Sequence, residues 1–171
     1  SDALHNNGIC RGYPDNNAQS KFILPYEVGN EFKVVQGNCT QFTHSGAARY
    51  AYDFQIPVNA NVLAMRAGKV TSVDMSNDNG LDATANIINI EHADGTVASY
   101  VHLQKDSQQV EVGDGVSQGQ VIALAGYSGL TLENAHLHVI IFDKQNGDDS
   151  LPLTFRNTRS HPAGLQPDES Y

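Results

Sequence analysis

The stretch "ANIINIEHADGTVASYVHL", residues 85–103, decides the fold. Two alternating runs rich in β-branched residues flank "HADGT", with Asp94-Gly95 at the turn, which is the pattern of a β-hairpin. Outward from it the chain keeps the same habit. Short candidate strands lie in "KFILPYEVG" (21–29, ended by Pro25), "EFKVVQG" (31–37) and "YAYDFQIP" (50–57). Others lie in "NVLAMRAGKVTSVDMS" (61–76, two strands around Gly68), "GDGVSQGQVIALAG" (113–126), "HLHVIIF" (136–142) and "SLPLTFRN" (150–157). No convincing helix emerges. The expected class is all-β: one domain of antiparallel sheets forming a barrel- or sandwich-like core with a groove.

Composition agrees. Charged residues make up 17% and there are 15 glycines, which suits many turns and short strands. At 171 residues the chain suffices for one domain with a sizeable core. The expected organisation is an irregular N-terminal segment (1–23) tied by Cys10, a core over 24–155, and an extended surface tail over 156–171.

A formal charge of −9 repels phosphate backbones and argues against nucleic-acid binding. It offers no attraction to anionic membranes or wall polymers, and no run of 18 apolar residues supplies a membrane-spanning helix. A monomer is expected. Cys10 and Cys39, without a CxxC motif, suggest one disulfide and an oxidising compartment, with free buried thiols or soft metal ligands as the other readings. Such a closure stabilises by roughly 3–4 kcal/mol in the chain-entropy model. The start Ser1-Asp2-Ala3, without Met, raises the expectation of a secreted mature form from which a leader and pro-segment have been removed.

The chemistry is expected among the seven histidines. In "NAHLHVIIF", residues 134–142, side chains two apart on a strand share a face, so His136 and His138 point one way and Leu137 the other. A metal site needs three or four ligands, so partners must come from elsewhere. His5 and His161 sit in polar ends, and His92 in the "HADG" turn is expected to be solvated. His44 lies shortly before Asp53, and His102 ends the strand "VASYVHL". Asp is disfavoured in strands and burying an unpaired carboxylate is costly. A divalent cation would remove that cost at Asp53; capping a turn or pairing with Arg49 is the alternative.

Taken in order, "THSG…YAYDF", "SYVHL", "VGDGVSQGQVIALAGYSG" and "AHLHVIIF" resemble the lysostaphin-type zinc metalloendopeptidases, among them the β-lytic and staphylolytic enzymes. The resemblance implies that His44, Asp53 and His138 bind one Zn²⁺ and that His102 and His136 are the non-ligand catalytic pair. Two imidazoles and a carboxylate leave zinc a fourth position, as catalytic sites require. Imidazole suits the flanking pair because both of its protonation states are accessible near neutrality. Two departures stand out: eight residues separate His44 from Asp53 where the family usually has three, and "ENA" precedes HLH where relatives often carry a Gly-Pro step.

The resemblance further implies a secreted peptidase cutting near Gly or other small residues in peptidoglycan cross-bridges. A glycine-rich extracellular protein such as elastin is the alternative substrate, and a non-catalytic regulator of the same fold the alternative role. A sugar-permease phosphocarrier domain needs no Asp ligand, and a lipoyl-type carrier needs an exposed turn lysine that the Lys105 context does not supply. Two secondary signals remain. Residues 74–82, "DMSNDNGLD", concentrate oxygen ligands but do not form an EF-hand and read as a solvated turn. Tyr127, in a glycine-rich "GYSG" loop that would let a peptide come close, is a candidate for the substrate groove.

Overall fold

A computed structural model describes residues 12–40, 43–80, 84–129, 131 and 135–171. Nine strands form in it: β1 (Val34–Gln36), β2 (Tyr52–Phe54), β3 (Asn61–Leu63), β4 (Gly68–Asp74), β5 (Ile87–Glu91), β6 (Thr96–Val101), β7 (Gly115–Val116), β8 (Val121–Leu124) and β9 (Leu137–Asp143). Seven make one antiparallel sheet in the order β1-β2-β9-β6-β5-β4-β7, and β3 and β8 pair separately. No α-helix occurs among the described residues; three short 3₁₀ turns are the only helical pieces there. The all-β expectation holds.

The hairpin at 85–103 forms as read: β5 and β6 pair from Ile87–Val101 to Glu91–Val97. Alternation decides which side chains enter the core. Ile88 and Ile90 of β5, Tyr100 of β6, and Leu137, Val139 and Ile141 of β9 are buried in one cluster with Val62 of β3 and Ile122 and Ala123 of β8. The small pair therefore covers one face of the large sheet. Tyr100 ties the two together, its hydroxyl accepting a 2.7 Å hydrogen bond from the Met65 backbone N–H.

Two expected strands are not ladder strands. Residues 21–29 form no strand, bend at Pro25 and Tyr26, and make only isolated backbone bonds, among them Ile23 N–H to Met65 O and Leu63 N–H to Pro25 O. Pro25 cannot donate, and that limits pairing. In "SLPLTFRN" pairing stops at a Phe142–Ser150 bridge, and Pro152 follows. The segment 156–171 is irregular but not merely superficial: Leu165, Tyr171 and His161 are buried. It covers the outer edge of β1 through Val34 N–H to Glu169 O and Asp168 N–H to Val34 O.

Two histidine expectations are corrected. His92 is buried rather than solvated, its Nδ1 3.0 Å from Ala67 O and its ring edge-on to Phe22. His161 is buried, accepting the Phe155 N–H at 3.1 Å, with Nδ1 2.7 Å from Arg159 O. In both cases the chain folds back over a turn or tail that composition alone marks as polar. Burial pulls both rings below the ordinary histidine pKa. His5, Cys10 and residues 81 and 82 of the Asp/Asn loop lie outside the described residues, and with Cys10 goes the expected pairing to Cys39. Within that loop Asn77 Nδ2 donates to Asp74 and Lys105 to Asp78, so the carboxylates serve as turn and surface contacts.

Candidate metal centre

The face of β9 opposite the core carries the site. Tyr52, Phe54, Leu137 and Val139 point into the core, which leaves Asp53 and His138 on the other side. These two are direct cross-strand partners in the β2–β9 register. Residues so paired bring their side chains together, and the His138 Nδ1 to Asp53 Oδ1 distance is 2.8 Å. His44 arrives from the loop before β2. Its Nε2 lies 3.2 Å from Asp53 Oδ1 and 3.3 Å from His138 Nδ1. Among the described residues these three form the one cluster able to hold a metal ion, with donor atoms all within 4.8 Å of one another.

The donor set fits zinc. A tetrahedral zinc with bonds of about 2.0–2.1 Å spaces its donors roughly 3.3 Å apart, close to the separations seen. Protonation points the same way. His44 Nδ1 gives its proton to Gly37 O at 2.8 Å. The Nε2 of a neutral His44 is then a bare lone pair facing a carboxylate oxygen, an arrangement that a cation relieves. Burial pushes the Asp53 carboxyl upward, but its close contacts with the His138 and His44 rings outweigh it and hold the group well below the usual carboxylate range. The alternative for Asp53, pairing with Arg49, is not seen: Arg49 reaches Asp149 and Gly46 O instead.

His136 and His102 flank this centre. His136 Nε2 lies 3.5 Å from Asp53 Oδ2. The His102 ring is edge-on to His136 at 4.7 Å between centroids and 6.0 Å from His138. His102 sits just past the end of β6 with φ of 67°, a left-handed conformation costly for a residue with a Cβ. There the chain leaves the large sheet, and Leu103 bridges to Ala125 beside the small pair. Nδ1 of His102 donates to Ser128 O at 2.6 Å, leaving Nε2 as an acceptor. Burial first, then the charge of His136, pushes the His102 pKa down to about 4.

Sequence reasoning missed Gln36. It is the register partner of Asp53, and with its amide turned to satisfy its neighbours it donates to Asp53 Oδ2 at 3.1 Å. Only strand pairing reveals this; a lone Gln carries no motif. Tyr127 is exposed, and its backbone is pinned by Asn79 and Gly80. The glycines around it serve the protein's own packing. A Cβ at Gly126 would lie 2.7 Å from Gln104 N, and one at Gly129 2.9 Å from the Ala85 Cβ.

Residues 47–150 match the sequence profile of Peptidase family M23. Lysostaphin of Staphylococcus simulans is 32% identical over 114 residues, which is 64% of this chain and 22% of that protein. The chain therefore spans about a fifth of the length of that relative. Among solved structures, the antimicrobial peptidase lysostaphin from Staphylococcus simulans superposes with a TM-score of 0.55 at 25% identity, over 70% of this chain and 46% of that one. A zinc-containing peptidase from Vibrio cholerae gives 0.50 at 25% identity, over 82% of this chain and 39% of that one.

Proposed function

The chain belongs to peptidase family M23, and from that premise we propose that it is a secreted zinc endopeptidase cutting next to glycine or other small residues in bacterial cell-wall cross-bridges. The observation that carries the proposal is the meeting of His44, Asp53 and His138, from three separate segments, within 4.8 Å of one another and beside two further histidines. His44 Nε2, Asp53 and His138 Nδ1 would hold one zinc ion. Bound there, it supplies Lewis acidity at neutral pH toward water and the scissile carbonyl.

The protein's own groups do the rest. Gly37 O fixes which nitrogen of His44 is bare. Asp53 offsets cationic charge in a buried place. His102, with Nδ1–H committed to Ser128 O, presents Nε2 as an acceptor for the proton of the attacking water. His136 then stabilises the oxyanion or hands a proton to the leaving amine. A Cys10–Cys39 disulfide, expected from the two cysteines, would suit an extracellular setting.

The net charge of −9 favours a second substrate, a glycine-rich protein such as elastin, over an anionic wall. Incubation with Gly-bridged walls, Ala-bridged walls and elastin, followed by fragment sequencing and elemental analysis, separates the two. Cleavage at Gly bonds in walls with one zinc per chain is expected. Cleavage undiminished by chelation, or none of any substrate by zinc-loaded protein, overturns the reading.

A further inference from the structure

We propose that Asn86 and Ser128 are positioning residues, a buried polar clamp that holds His102 in its left-handed corner with Nδ1–H turned to the Ser128 carbonyl. The inference rests on the peptidase reading for its catalytic consequence, though not for its geometry. Both residues are fully buried, and neither belongs to a metal-ligand or histidine motif.

The clamp works from two sides. Ser128 O takes the His102 Nδ1 proton. The Ser128 hydroxyl donates to Leu103 O at 3.0 Å and accepts the Asn86 backbone N–H at 2.9 Å. Asn86 Nδ2 donates to the same Leu103 O at 3.0 Å and to Asn77 O at 2.7 Å. Its Oδ1 accepts the Asn77 N–H at 2.9 Å. Two side chains thus converge on the carbonyl directly after His102, while one of them fixes the residue whose carbonyl orients the ring.

A positive φ at a residue with a Cβ persists only where its surroundings over-determine it. The surroundings here do so: Gly126 N–H bonds to His102 O, and Leu103 N–H to Asn86 O. With every polar atom of the Asn86 side chain committed and none exposed, the cost of burying the amide is met by holding this corner. A neutral histidine has two tautomers, and the hydrogen bond at one nitrogen decides which is present. Loosening Ser128 frees the ring to turn or to move its proton to Nε2, which removes the acceptor.

The test uses the protein as purified, ¹⁵N-labelled at histidine, with Ser128→Ala and Asn86→Ala. In the wild type, nitrogen NMR at neutral pH should show His102, assigned by its loss in His102→Gln, as the Nδ1–H tautomer. In each variant that signal should broaden or shift toward a tautomer mixture. On a cleavable peptide kcat should fall by about ten- to a hundredfold, with KM and zinc content within about twofold of wild type. A variant that loses kcat while His102 keeps its tautomer, or one that keeps full kcat, overturns the proposal. Should both variants fail to fold, the wild-type spectrum still decides, because an Nε2–H tautomer at His102 rules the clamp out. A wild type that cuts nothing removes the peptidase reading and leaves the tautomer result standing.

Discussion

Leu137 and His138 are adjacent on one strand and serve opposite purposes. Leu137, 1% exposed, points into the packed face of the sheet with Phe54, Tyr100 and Val139. His138 turns to the other face and meets Asp53 and His44. The core face is packed with aliphatic and aromatic side chains; the other gathers five ionisable side chains, His44, Asp53, His102, His136 and His138, within a few ångströms. One strand can do both because its side chains alternate. The difference teaches that the rigidity needed by the polar face is supplied by the apolar one, through a backbone common to both.

That comparison can be broken from either side. The largest effect belongs to the polar face. Asp53→Asn, His138→Ala or chelation should lower peptide cleavage on the order of a thousandfold or more, several kcal/mol of transition-state stabilisation, as read from kcat/KM. Folding should persist by circular dichroism. Leu137→Ala should do the reverse, costing about 2–5 kcal/mol in denaturant melts while the folded fraction still takes up zinc.

Smaller effects sharpen the boundary. Gly126→Ala sets a methyl 2.7 Å from the backbone of Gln104, so a loss of about 1–3 kcal/mol is expected in the same melts. Tyr100→Phe leaves the Met65 N–H without its acceptor and should cost about 1–3 kcal/mol with no change in zinc content.

The smallest effect concerns pH. His92 and His161 are buried and their pKa values are depressed. As pH falls through the ordinary histidine value near 6.5, the unfolded chain binds protons that the folded one refuses, so stability is full above that value and declines below it. Melting temperatures of the wild type should fall between pH 7 and 5 more steeply than those of a His92→Asn, His161→Asn double variant.

Much of the fold was legible because its signals are local. The hairpin at 85–103 announces itself by alternation and an Asp-Gly turn, and β2 and β9 by apolar runs. The failures lie where pairing depends on partners. Residues 21–29 read as a strand but find only isolated bonds. His92 reads as solvated and His161 as part of a polar end because their neighbours are polar, yet both are buried. Of the site, the HxH spacing and the misplaced Asp53 were visible. Gln36, Asn86 and Ser128 were not, since nothing in their own residue type marks them.

By itself the sequence determined the all-β class, the hairpins and the family. Periodicity and turn chemistry are properties of a few consecutive residues, and the ordered histidines and aspartate carry the resemblance. Tertiary structure alone decided the distances at which His44 meets Asp53 and His138 and that a strained corner aims His102. Register, sheet order and the covering of one face by another are set by contacts between residues far apart in the chain, and no local pattern encodes those distances.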